Sequence, residues 1–417
     1  MTLSELKQKI GEYQYFEDTG VIDVALASVI ATRLRIGDPV WMIVIGASSG
    51  GKSQILRPLA LTDTKYMHKI DDLTENTFLS GAKTKEGENS LLLRIGGSGI
   101  LVMSDLTVLF SKAKEQRAAI LAQFRMIYDG EMVKHSGSKG KATEWKGALG
   151  VLAGSTPTIY THFEEVADMG QRFIYYRMKD YDAEKATRMA LSRDLFGKKL
   201  DVELAGMYDE YMKGVVKSYE ENGEIVKLSD EIVERIISVS LFAERVRTTA
   251  HVDPWGAKKN IDKIPTVSFP MRVALQLMSL AMGLAIMKRA EGGEMGDDEM
   301  KIIDWCGWSL ANEEKRACLQ VLVQKEWGSS ISTQAIADVI GLDTSVIGNV
   351  LQNMSAVGVL ERTGDASGLR WSIKNERDWK IISDIVGIEN KKDIVERSLT
   401  IGDDHDISDA VFDLWPS

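Results

Sequence analysis

Cysteine is nearly absent: Cys306 and Cys318 are the only two in 417 residues. Two thiols cannot build a disulfide framework, nor a cysteine-rich zinc or iron–sulfur site. In apparently helical sequence they read as small buried hydrophobes. Long apolar runs are scarce as well. The longest, around Leu275 to Met287, is interrupted by Gly283 and followed by Lys288 and Arg289, so it falls short of the roughly 18 residues of a membrane span. The opening Met1-Thr2-Leu3-Ser4-Glu5-Leu6-Lys7 has no signal-peptide character. No internal repeat and no primase motif is visible. These absences predict a cytoplasmic protein with no membrane partner.

What is present fits a globular chain. A hydrophobic fraction of 44% and a charged fraction of 27% are enough to build the cores of two or three domains. The net charge of −10 argues against nucleic acid only if it is spread evenly, and it is not. Residues 376–417 hold five basic and eleven acidic side chains, and the last twenty residues hold five Asp and no Lys or Arg. Residues 134–146 hold four Lys and one Glu.

Along the chain, residues 1–38 read as a helical segment ended by Gly37-Asp38-Pro39. Residues 39–180 then alternate short apolar runs with helix-length stretches. The runs are Val40–Ile45, Ile100–Met103, Leu149–Ala153 and Phe173–Tyr176. Continuous apolar strands separated by helices predict an α/β fold around a parallel sheet. Residues 181–312 carry helical periodicity, interrupted by three prolines between His251 and Pro270. Residues 313–374 form a last unit, and 375–417 an acidic tail.

The strand ending at Ile45 runs into Gly46-Ala47-Ser48-Ser49-Gly50-Gly51-Lys52-Ser53, followed by Gln54 at the head of a helix. This is G-x-x-x-x-G-K-[ST] in its required setting, a phosphate-binding loop. Glycines let the backbone wrap phosphate oxygens, and the N–H groups of the loop and helix N-terminus supply positive potential. Lys52 is expected on the β- and γ-phosphates of ATP, and the Ser53 hydroxyl on Mg²⁺. Ile100-Leu101-Val102-Met103-Ser104-Asp105 offers the acid that such a site needs at the end of a neighbouring strand. Asp105 is therefore the second expected magnesium residue and a candidate catalytic one.

This ordering resembles AAA+ ATPases, and among them the minichromosome-maintenance-type helicases, over about residues 37–312. It is also similar to ATP-binding proteins of phages and mobile elements that carry Gly37-Asp38-Pro39-Val40-Trp41 before the loop. The resemblance implies an AAA+ core followed by an all-α lid, working as a hexameric ring in a bacterial or phage-infected cell. Its central channel would hold single-stranded or forked DNA, with other replication proteins as partners. It implies a hairpin before the third apolar run, with Lys134, Lys139 and Lys141 on DNA. It also implies a sensor role for Thr156, an arginine finger at Arg172 reaching into a neighbour's site, and a second sensor at Arg272. One departure stands out: the family's paired Asp-Glu is here Ser104-Asp105. Either one acid serves both roles or hydrolysis is slow.

Residues 313–374 read as helix, turn, helix and a strand pair, which resembles a small α+β winged-helix domain. Arg362 and Arg370 are its DNA candidates. Its presumed recognition helix, Thr344 to Val357, contains no Lys or Arg, so protein contact and DNA contact both remain open. Two functions follow: a DNA helicase or translocase driven by ATP, or a replication initiator, loader or DNA-bound regulator that uses ATP as a switch. A protein-remodelling or defence ATPase without DNA affinity is a third.

Overall fold

The computed structural model describes residues 1–387 except 17, 49, 81–82, 85–86, 89, 136–141, 163–171, 180–181, 193–196, 224–225, 251–264 and 366–367. Contacts divide the chain into two units, residues 1–229 with 275–302, and residues 230–274 with 303–417. This division differs from the sequence boundaries, because residues 1–38 and part of the expected lid belong to the unit that holds the sheet.

In that first unit, α1 (Leu3–Tyr13) and α2 (Gly20–Arg33) precede β1 (Trp41–Ile45) and α3 (Lys52–Leu61). Then come β2 (Met67–Lys69), the short pair β3 (Lys83–Thr84) and β4 (Gly87–Glu88), α4 (Leu91–Ile95), β5 (Ser98–Met103), α5 (Thr107–Phe110) and α6 (Lys114–Tyr128). A hairpin of β6 (Glu131–His135) and β7 (Ala142–Lys146) leads into β8 (Ala148–Ser155) and β9 (Ile174–Arg177). Two helices close the segment, α7 (Ala183–Ser192) and α8 (Gly197–Asn222).

The central sheet has five strands in the order β2-β5-β8-β1-β9. Every neighbouring pair is parallel. The sequence expectation of an α/β fold on a parallel sheet is met, with one strand more than the four apolar runs. The extra one is the edge strand β2, three residues long and only partly buried. Because all strands run the same way, the loops after β1, β5, β8 and β9 gather at one edge, where α/β sheets bind ligands.

Burial explains why α2 belongs here. Twelve of its fourteen residues are buried, Val21 through Thr32, and a helix apolar on all sides is stable only inside a core. Each fully buried Val, Leu or Ile contributes about 1.5–3 kcal/mol relative to exposure. On the opposite side of β1, Trp41 packs edge-on against Phe124 and Tyr128 of α6, and its indole donates to the carbonyl of Leu149 at 2.7 Å.

The second unit opens with α9 (Asp230–Arg247). The division falls within the next two helices, α10 (Met271–Ala290) and α11 (Asp297–Trp308). Among the described residues α10 is the one helix long and apolar enough to cross a membrane, and 61% of that window is buried in the protein. Both cysteines are buried, as expected.

The chain continues through α12 (Glu313–Val323), β10 (Ile331–Ser332), α13 (Thr333–Ile340), α14 (Thr344–Ala356), β11 (Leu360–Asp365), β12 (Gly368–Ile373) and α15 (Glu376–Val386). Ser332 and Asp343 cap α13 and α14 by accepting from the backbone N–H groups of Ala335 and Ser345. The three strands pair in the order β10-β12-β11. Lys315 is buried with its ammonium donating to the carbonyls of Val246 and Thr248, and burial pulls its pKa down to about 8.

Candidate nucleotide site

The loop after β1 has the geometry that its glycines require. Gly51 caps α3 at φ +81°, a left-handed conformation that a side chain would strain, and a Cβ on Gly50 would lie 2.9 Å from the Ala47 carbonyl oxygen. Lys52 is 8% exposed and donates to the carbonyl oxygens of Gly46 and Ala47 at 2.9 and 2.6 Å. Burial, the larger influence, lowers its pKa, while the Asp105 carboxylate acts to raise it. The ammonium is thus folded onto the loop within electrostatic reach of Asp105.

Asp105 is exposed just beyond β5, and its Oδ1 accepts from the backbone N–H and the hydroxyl of Thr107. Beside it, the Ser104 hydroxyl is buried without a hydrogen-bond partner among the described residues. A Cβ on Gly154 would come within 2.6 Å of the Ser104 carbonyl oxygen, so β8 can lie this close only with glycine there. Thr156 follows β8 immediately, Ser155 pairs in register with Ile45, and the Gly46 N–H donates to the Ser155 carbonyl at 3.2 Å. The sheet therefore brings together Gly46, Lys52, Asp105 and Thr156. Ser53 is half-buried in the first turn of α3. Ser49 lies outside the described residues. No group of three or more His, Cys, Asp or Glu could hold a metal among the described residues. The donors fit Mg²⁺ only in the manner of a nucleotide site, where one or two protein oxygens act beside phosphates.

Sequence reasoning missed the residues flanking the loop on its other side. A Cβ on Gly51 would meet Phe16 Cε1 at 3.3 Å, and one on Gly46 would meet Met178 Sδ at 3.5 Å. Asp18 secures this approach by accepting from the Tyr176 hydroxyl at 2.9 and 3.0 Å. Gln14 Nε2 donates to the Gln54 carbonyl at 3.2 Å. An aromatic ring and a thioether thus lie beside the loop after β1. Phe16 precedes the loop by thirty positions in sequence, and no spacing rule connects the two.

The remaining expected residues are placed as follows. Arg172 is 5% exposed, ion-paired through Nη2 to both carboxylate oxygens of Asp129 at 2.8 Å, with its guanidinium 5.4 Å from the Tyr128 ring centroid. It stands just before β9, at the edge of the sheet opposite the loop after β1. It is held inside its own chain rather than presented outward, because Asp129 and Tyr128 satisfy its charge there. Lys134 donates to Asn76 Oδ1 at 2.8 Å and to the Leu79 carbonyl at 2.9 Å, which makes it a strut that ties the far end of β6, one pair before the connecting segment, to residues 76–79. Lys139 and Lys141 lie outside the described residues.

In the second unit, Arg272 is exposed in the first turn of α10, and Arg362 is exposed on β11. Arg370 donates to the hydroxyl and carbonyl of Ser330. Asn353, within the presumed recognition helix, is buried and donates to the Ala250 carbonyl. No family model matches the chain, and no curated protein matches it.

Proposed function

We propose that this chain is an ATP-dependent DNA translocase or helicase of AAA+ type, acting as a homo-hexameric ring with Mg²⁺-bound ATP between adjacent subunits. The observation that carries the reading is the loop after β1, with Lys52 folded onto Gly46 and Ala47, Asp105 within its electrostatic reach and Thr156 next in the sheet. Lys52 would leave the two carbonyls for the β- and γ-phosphates, Ser53 and Asp105 would hold the ion, and Thr156 would orient water at the γ-phosphate. The hairpin between β5 and β8 supports the DNA-gripping part, with Lys139 and Lys141 on its connecting segment. Arg362, on β11 of a helix–helix–strand–strand unit that resembles a winged helix, is a second contact.

A switch-like initiator or loader is the second reading. It is favoured by the enclosure of Arg172 against Asp129 and by a single acid at position 105, both of which suit slow hydrolysis. The test is ATP turnover with and without forked DNA, alongside electron-microscope images with Mg²⁺ and a non-hydrolysable analogue. The motor predicts rings and DNA-stimulated hydrolysis that Lys52→Ala abolishes. Charge reversal at Lys139 and Lys141 should remove DNA affinity and leave analogue binding intact. A monomer that binds the analogue without DNA stimulation overturns the motor.

A further inference from the structure

The edge of the sheet opposite the phosphate loop carries a second feature. Immediately before β2, Tyr66 is half-buried with the Arg33 guanidinium 5.6 Å from its ring centroid, and Arg33 and Arg35 both act on its hydroxyl electrostatically. Arg33 is paired with Asp63 at 3.2 Å. Two residues along β2, His68 lies beside Arg94, and burial together with that guanidinium lowers its pKa. Arg35 and Arg94 are exposed, and neither forms an ion pair among the described residues.

Arg35 has a backbone oddity of its own. It is the only non-glycine residue at positive φ among the described residues, at +55°, directly after the end of α2. That is the position where helices favour glycine, which bears no Cβ penalty there. The fold alone would be served better by glycine, so the arginine side chain must be accounted for by something other than the backbone.

The strip leads to the root of the β6–β7 hairpin. Gly96, two residues after Arg94, accepts from the Trp145 indole at 2.6 Å, and the Gly97 carbonyl accepts from Ala148 N–H at 3.0 Å. Guanidiniums exposed along a sheet edge, one of them on a strained backbone, are suited to the oxygens of a sugar–phosphate backbone, which reward charge without base readout.

We infer that Arg35 and Arg94, flanking Tyr66 and His68, form a phosphate track that carries nucleic acid to the hairpin. This rests on the nucleic-acid part of the reading above and adds a contact on the opposite edge of the sheet from the ATP site. The test measures binding of a fluorescein-labelled single-stranded oligonucleotide to the full chain across a salt series, for wild type, Arg35→Gly, Arg94→Ala and the double variant. Each single change should weaken binding by about 3- to 10-fold and lower the salt slope by about one, the signature of one lost phosphate contact.

Arg35→Gly should at the same time raise the melting temperature, an outcome that a structural role for the arginine forbids. All variants should bind ATP analogue like the wild type. An unchanged affinity and slope in the double variant overturns the track. If charge reversal at Lys139 and Lys141 abolishes binding while the strip variants do nothing, the track fails and the motor stands. If the strip variants lose binding in a chain whose ATP turnover ignores DNA, the motor fails and the track stands.

Discussion

Pro58 stands inside α3, where its ring nitrogen cannot donate to the Gln54 carbonyl four residues earlier. That carbonyl accepts instead from Gln14 Nε2 at 3.2 Å. One imino acid in α3 thus creates the acceptor that ties the α1–α2 connection to the loop after β1 and sets Phe16 against Gly51. Gln14→Leu should leave the carbonyl unsatisfied and destabilise the chain by about 1–3 kcal/mol, with nucleotide affinity reduced because Phe16 is no longer held. Pro58→Ala in the same chain restores a helical N–H to Gln54 and should recover part of the stability but not the affinity. Thermal melts and analogue titrations of both variants check this. If the double variant is no more stable than Gln14→Leu, the proline did not create the vacancy that Gln14 fills.

Between elements, α1 is docked onto α2 by Lys7, whose ammonium lies 2.6 Å from Asp23 Oδ2. Asp23 is 7% exposed, and burial pushes its pKa up to about 6 against the opposing pull of Lys7, with Glu299 and Asp18 adding to the rise. A carboxyl raised in the folded state binds its proton more tightly there than in the unfolded chain. Its burden on stability is therefore complete above about pH 6 and disappears as the pH falls toward the unfolded value near 4. Asp23→Asn should raise stability at pH 7 to 8 by at most about 3 kcal/mol, and the gain should shrink to nothing near pH 4. A gain independent of pH would mean that charge is not the cause.

Of these elements, the loop after β1 and its flanking strand are legible in the sequence because the motif and the apolar run coincide. The position of α2 is only half legible. Its apolar residues announce burial, but which face of which sheet they meet depends on β5 and β8, more than sixty residues away. β2 is not legible, because Met67-His68-Lys69 is too short and too polar to show a strand pattern. The resemblance led to an outward Arg172, and only the fold reveals Asp129 beside it.

For the whole molecule, net charge is a poor guide to partners, because its parts act at different ranges. Residues 388–417 hold three basic and eight acidic side chains, half of the chain's −10. Those acids repel any polyanion during approach, whereas Arg35 and Arg94 act only on contact. At low ionic strength the Debye length reaches about 30 Å and the repulsion extends well beyond the surface; at physiological salt it falls to about 8 Å. Ending the chain after Gly387 should therefore speed oligonucleotide association several-fold at about 10 mM salt and change it little at about 150 mM. The off-rate, which the proposed phosphate contacts would set, should stay close to that of the full chain under both conditions. Stopped-flow anisotropy resolves the two rates. A truncated chain whose off-rate falls while its on-rate is unchanged would show that the tail competes for the contact surface itself, and the long-range account would then be wrong.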